Sequence, residues 1–174
     1  MHRTPQRMAV LGLSAFLLLA ANVMAAPQMA EAGSDAAALE AAFASPDRPA
    51  ADRDQDARRH AREVLAFLGV KPGWRVIDVF SAGGYNAELL ARAVGVKGEV
   101  IAYNNPPYAK FAQKGIAERY KGDRLGNVKQ LTAEVDELDV APNSLDGALF
   151  VMSYHDAYWR PADGTWNRTK PEEL

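Results

Sequence analysis

The run Val76-Ile77-Asp78-Val79-Phe80-Ser81-Ala82-Gly83-Gly84-Tyr85-Asn86 constrains the fold of this chain more than any other. A β-branched apolar segment ends in a turn of small residues, Ser81-Ala82-Gly83-Gly84. The turn opens directly into Ala87-Glu88-Leu89-Leu90-Ala91-Arg92-Ala93-Val94, whose apolar positions recur at helical spacing. Strand, tight turn and helix in immediate succession place free backbone N–H groups and a helix N-terminus where a nucleotide-like ligand is held. Asp78, Ser81, Ala82, Gly83 and Gly84 are therefore the first candidate ligand-binding residues, being small or polar where a ligand must approach the backbone. The fingerprint G-x-G-x-x-G is absent.

The segments around this run alternate in the same way. Ala57, Ala61, Val64, Leu65 and Leu68 predict an amphipathic helix beginning near Asp56, stopped at Gly69 and followed by the turn Lys71-Pro72-Gly73. Arg53, Arg58, Arg59 and Arg62 read as its solvated face. Trp74–Phe80 is the first expected strand, apolar enough for burial on both faces. A helix over about 86–94 and the strand Glu99–Tyr103 follow. Asn104–Tyr108 is a turn, with a helix over about Ala109–Tyr120 after it. A short strand over Asn127–Leu131, a helical turn over Glu134–Leu138 and a fourth strand over Leu145–Met152 complete the pattern. Such alternation implies βαβ units around a largely parallel sheet.

The 174 residues give room for one domain, and 48% are hydrophobic, enough for a packed core. The net charge of −2 argues against a nucleic-acid partner, because no excess of Lys and Arg exists to displace phosphate counterions. Residues 1–25 read as a signal peptide. His2, Arg3 and Arg7 precede an apolar run over 8–21, and Val23-Met24-Ala25 resembles a cleavage site. The expected location is exported and periplasmic, with no stable membrane insertion after cleavage. Residues 26–56 are expected to form an arm, partly helical or disordered, with Ser34 and Asp35 capping a helix over Ala36–Phe43. Residues 57–174 form the main domain. No cysteine is present, which excludes disulfides and thiolate chemistry. After the leader only His60 and His155 remain, His60 within a structural helix, so no metal site is expected.

A second cluster, Tyr154-His155-Asp156 with Tyr158-Trp159, follows the fourth strand, at the end of the sheet where open α/β folds bind ligands. His155, with Asp156 nearby, is the candidate catalytic base, and the aromatic residues are candidate pocket walls.

Residues 74–104 resemble the start of the class I S-adenosylmethionine-dependent methyltransferases. The likeness lies in the lead-in Val70-Lys71-Pro72-Gly73-Trp74-Arg75-Val76-Ile77-Asp78 and the turn after it. In the family's G-x-G-x-G loop, Phe80 stands at the first glycine position, Ala82 at the second and Gly84 at the third. The resemblance implies that Gly83 and Gly84 permit close approach of S-adenosylmethionine. It also implies that Asn104, where the family has an acid, faces the ribose and that Glu134 faces the adenine. Asp146 and the strand after it are similar to the family's fourth strand. Tyr154-His155-Asp156 resembles a segment of exported, predicted methyltransferases of Gram-negative bacteria. The resemblance covers about residues 48–174. It implies an α/β, Rossmann-like methyltransferase fold with a doubly wound, mainly parallel sheet. Only the first four strands are present, so the chain reads as C-terminally truncated. Thr169-Lys170-Pro171-Glu172, a capping-box pattern near the last residue, agrees with that reading.

The implied partner is a small-molecule cofactor, S-adenosylmethionine, with an unknown methyl acceptor. The alternative is a non-catalytic exported Rossmann-like module that binds a ligand or protein. Asn105-Pro106-Pro107-Tyr108 matches in letters the N-P-P-Y motif of amino-methyltransferases. That motif follows strand four, and here the segment follows strand two, so it reads as a proline-stiffened loop.

Overall fold

A computed structural model describes residues 35–164 together with 166, 170 and 172. The leader-like residues 1–25, the segment 26–34 with the Ser34 cap, and the helix start at Thr169 and Pro171 lie outside the described residues.

Four parallel strands form the sheet in the order β3-β2-β1-β4. They are β1 (Arg75–Val79), β2 (Glu99–Asn104), β3 (Val128–Thr132) and β4 (Gly147–Leu149). β1 lies centrally, with Val76 opposite both Val100 and Gly147. The order reverses at β1, from which the chain builds one way through β2 and β3 and the other way to β4. The ends of β1 and β4 therefore border the switch point of the sheet. The period of two sends successive β1 side chains to opposite layers. Val76 joins a core with Phe43, Leu65, Leu89, Leu90 and Val100, while Ile77 joins Phe80, Ile101, Tyr103 and Val135 on the other face. Both faces are covered, which is why β1 and β2 are apolar along their length.

The first layer comes from the helices. Residues 35–44 form α1, and α4 (Ala61–Leu68) and α5 (Tyr85–Val94) pack beside it. Leu65, Leu89 and Leu90 are at most 1% exposed. Each contributes about 1.5–3 kcal/mol relative to an exposed side chain. α6 (Pro106–Arg119) is less well seated, for only Ala112 is buried. The second layer is built largely from aromatic side chains, with Tyr108, Phe150 and Trp166 packed on Phe80 and Tyr103.

The helix expected from Asp56 is broken. α2 (Ala50–Arg53) and α3 (Asp56–Arg59) are single turns, and His60 adopts a left-handed conformation, φ 48°, before α4 begins. The break resets the helical phase: Ala61 and Leu65 are buried, but Ala57 is exposed. His60 thus sits at a joint rather than inside a helix. The arginines expected on a solvated face are partly engaged. Arg59 lies over the Tyr85 ring at 4.5 Å and Arg62 over Phe43 at 4.4 Å. Gly69, φ 67°, ends α4 with its N–H on the carbonyls of Leu65 and Ala66.

Two boundaries move. α6 begins at Pro106 rather than near Ala109, because Asn105 caps it by accepting the Tyr108 N–H at 3.0 Å and the prolines occupy its first positions. The Asn105–Tyr108 segment is therefore a helix start and not a loop. β4 is shorter than expected at both ends, Gly147–Leu149; beyond it Met152 has φ 61° and a 3-10 segment over Tyr154–Tyr158 follows.

Candidate functional site

The residues singled out in the sequence gather at the carboxyl end of the sheet. Asp78 lies in β1, Asn104 ends β2, Glu134 follows β3, and His155 and Asp156 follow β4.

The turn after β1 keeps a glycine-like backbone without glycine at two positions. Phe80 has φ 54° and Ala82 φ 48°, followed by Gly84 at φ 81°. Left-handed backbone at a residue with a Cβ costs on the order of 1 kcal/mol or more and persists where neighbours enforce it. The neighbours are identifiable. The Ser81 N–H donates to the Tyr103 carbonyl at 2.9 Å, and the Gly84 N–H to the Ser81 carbonyl at 2.9 Å. Asn104 braces the centre of the turn, where its Oδ1 accepts the Ala82 N–H at 2.8 Å and its Nδ2 donates to the Ala82 carbonyl at 3.2 Å. The phenyl group at position 80 turns into the second layer, stacked on Tyr108 at 5.1 Å between ring centroids.

Beneath the turn, Asp78 is 2% exposed. Burial pushes its carboxyl up to about 7, although the Ser81 hydroxyl and the Ala87 N–H favour the charged form. Asp78 Oδ2, Ser81 Oγ and Tyr120 Oη are all buried and make no hydrogen bond of ordinary geometry. Buried polar atoms without partners are uncommon and mark functional positions or a place for a ligand.

The two glycines do something the sequence did not announce. α6 lies against them: a Cβ on Gly115 would stand 3.3 Å from Gly83 Cα. A Cβ on Gly84 would collide with Tyr120 Oη and stand 2.9 Å from Arg119 Cδ. Arg119 Nε donates to the Gly83 carbonyl at 2.6 Å. The close approach that glycine permits here is therefore made by the chain's own helix. Gly115, a glycine inside a helical stretch, was the available sequence signal for such a contact.

Glu134 is half-buried at the start of the 3-10 turn Val135–Glu137. The preceding residue, Ala133, donates its N–H to the Asn104 carbonyl at 3.4 Å, which keeps the two expected nucleoside contacts at neighbouring strand ends. The Tyr103 hydroxyl is buried without a partner. Burial first, then the Glu134 and Asp136 carboxylates, pushes its pKa well above the usual tyrosine value.

His155 and Asp156 do meet, with Nε2 to Oδ1 at 3.3 Å and the His155 side chain 77% exposed. Asp156 is held from the other side by the Tyr108 hydroxyl, which donates to Oδ2 at 2.7 Å. Asp156 is thus fixed beside an exposed imidazole, which is in contact with it without a hydrogen bond of ordinary geometry. The aromatic cluster divides. Tyr154 and Tyr158 join hydroxyls at 3.1 Å beside Arg160 and Glu172. Trp159 instead lines a cavity of about 440 Å3 with Tyr108, Phe111 and Trp166. A larger cavity, about 710 Å3, lies away from these groups beside the end of α5 and the start of β3. Its charged groups are already paired, Arg92 and Arg124 with Glu88, and Lys129 with Glu99.

No family model matches the sequence, and no curated protein matches it. Several solved structures share part of its architecture. One is a SAM-dependent methyltransferase from Aquifex aeolicus, with 24% identity over 59% of this chain and 53% of that one, at a TM-score of 0.49. Another is a SAM-dependent O-methyltransferase from Thermotoga maritima, with 23% identity over 59% of this chain and 40% of that one, at a TM-score of 0.44. A third is an arsenic(III) S-adenosylmethionine methyltransferase from Chlamydomonas reinhardtii, with 22% identity over 76% of this chain and 45% of that one, at a TM-score of 0.43. The chain spans about half the length of these proteins or less.

Proposed function

We propose that this chain carries the cofactor-binding part of an S-adenosylmethionine-dependent methyltransferase with an unidentified acceptor. The observation that carries the reading is the turn after β1. At the switch point of a parallel sheet, Phe80 and Ala82 hold a strained backbone above the buried, incompletely bonded Asp78 and Ser81. Strain concentrated at the ligand-binding end of an open α/β sheet has a ready explanation in ligand binding.

In this proposal Asp78, Ser81, Ala82, Gly83 and Gly84 hold the cofactor, with Asn104 toward the ribose and Glu134 toward the adenine. The cofactor supplies a methyl group activated by its sulfonium. His155, beside Asp156, takes the proton from the acceptor. The leader-like residues 1–25 support an exported, periplasmic location.

The fit is partial. Asp78 and Ser81 have bonding capacity to spare, but α6 covers Gly83 and Gly84, and the Asn104 amide is committed to Ala82. Those commitments favour a second reading, a non-catalytic module that keeps the scaffold. Isothermal titration of the folded chain with S-adenosylmethionine and its demethylated product separates the two. Saturable one-site binding, weakened about tenfold by Asn104→Ala through loss of the braced turn, is expected. No heat of binding from a cooperatively melting protein would leave the second reading standing.

A further inference from the structure

The cavity of about 440 Å3 beside Tyr108 is walled by four aromatic side chains, Tyr108, Phe111, Trp159 and Trp166. The proposed methyl transfer uses none of them. Asn104 and Glu134, the expected nucleoside contacts, are not among its lining residues.

The inner wall is fixed. Tyr108 stacks on Phe80 with the ring planes 13° apart, lies 5.3 Å from Trp166 between ring centroids, and is anchored through its hydroxyl to Asp156 at 2.7 Å. Trp166 in turn meets Phe80 edge-on at 5.9 Å. The other two aromatic residues of the lining stand largely in water, Phe111 at 85% and Trp159 at 56% exposure.

Charge narrows the choice of occupant. Two carboxylates, Asp156 and Asp163, also line the cavity. Asp156 is held by Tyr108 and touches His155, and Asp163 is engaged as well. Neither is left to pair with an organic cation. No basic side chain is among the described lining residues to pair with an anion. The cavity therefore offers ring faces and apolar area without an unmatched charge. A flat, uncharged ring gains most from such walls, because it stacks on them or meets them edge-on and takes the faces of Phe111 and Trp159 out of water. The volume lies within the range of small-molecule sites.

We infer that this cavity binds a neutral, planar aromatic compound, a ligand separate from the cofactor of the preceding reading. The ring lies against Tyr108 and Trp166 and is covered by Phe111 and Trp159. Binding is measured with no cofactor present, so failure here and failure of that reading are separate results.

Naphthol is the probe, titrated into the full chain at neutral pH while the tryptophan indole N–H signals are followed by NMR. Trp159 and Trp166 line the cavity, whereas Trp74 packs in the core on the other face of the sheet. The expected result is a saturable shift of the Trp159 and Trp166 signals with that of Trp74 unmoved. Naphthoate, an anion, and decahydronaphthol, the puckered saturated analogue, should bind at least about tenfold more weakly. Naphthylmethylammonium should bind no more tightly than naphthol. Phe111→Ser and Trp159→Ala fall at exposed positions, and each should weaken naphthol binding while leaving the melting temperature unchanged. Equal binding of the saturated analogue, tighter binding of either ion, indifference to both substitutions, displacement of naphthol by adenosine, or no saturable response overturns the inference.

Discussion

Ala82 carries a methyl group at φ 48°, a conformation that glycine adopts without penalty. Replacing alanine by glycine normally destabilises a protein, because the unfolded chain gains freedom. At this position the strain released offsets that loss. Ala82→Gly is therefore expected to be neutral or stabilising by up to about 1 kcal/mol in urea denaturation. Gly84 is the reverse case. Its backbone is left-handed and α6 lies against it, so Gly84→Ala is expected to cost about 1–3 kcal/mol. Adding Tyr120→Phe removes the hydroxyl that the new methyl group strikes and that otherwise has no partner. The double variant should recover part of the loss; full additivity of the two changes would show that the contact with Tyr120 is not the cause.

Helix α5 is held by its charges as much as by its leucines. Glu88, one turn from the helix start, is 1% exposed and is joined by three arginines from separate segments. Arg92 is on α5 itself, Arg124 follows α6, and Arg119 on α6 also bonds Asp52 at 2.6 Å. Arg119 also holds the Gly83 carbonyl, so this network links the packing of α6 to the candidate ligand turn. A second network holds the helix entry. Buried Arg48 donates to Asp56 at 2.8 and 2.6 Å, and the Tyr85 hydroxyl donates to Asp56 at 2.6 Å. Removing one partner of a buried ionic network leaves the others uncompensated. Glu88→Ala is expected to cost about 3–5 kcal/mol, read as a drop in the denaturation midpoint, with a larger effect than truncating any one of the arginines.

Over the whole molecule these groups set opposite limbs of a pH profile. Burial opposes ionisation of Glu88, but the hydrogen bonds from Arg124, Arg92 and Arg119 prevail and hold its carboxyl down to about 2. A depressed carboxyl adds stability that is complete above its unfolded value and lost as pH falls from about 4.5 toward 2. Asp78 has the opposite sign. Its folded value is raised from 3.8 to about 7, so its contribution is complete below 3.8 and lost as pH rises through 7. That loss is on the order of a few kcal/mol. Thermal melting followed across pH should peak near pH 4–5 and decline on both sides. Asp78→Asn should flatten the decline between pH 5 and 8, and Glu88→Gln the decline below 4.5. A wild-type profile that rises steadily from pH 5 to 8 would count against a neutral buried Asp78.

The alternation of strands and helices and the gathering of Asp78, Asn104, Glu134, His155 and Asp156 at one end of the sheet were legible in the sequence. Apolar periodicity and turn residues are local properties, and a parallel βαβ order places every strand's carboxyl end on the same side. Other features were not legible. Nothing near Gly83 announces that Gly115 is its neighbour, and nothing near Glu88 announces Arg119 and Arg124. The position of Asn104 matched an expected ribose contact, but that its amide also braces Ala82 was not legible. The aromatic run after β4 read as one pocket wall, but the Tyr154–Tyr158 turn sends Trp159 to a different cavity from Tyr154 and Tyr158. In each case the deciding contact joins residues far apart in the chain or on opposite sides of a turn. A sequence pattern fixes which face of an element is apolar or polar; which partner that face meets is decided when the elements pack.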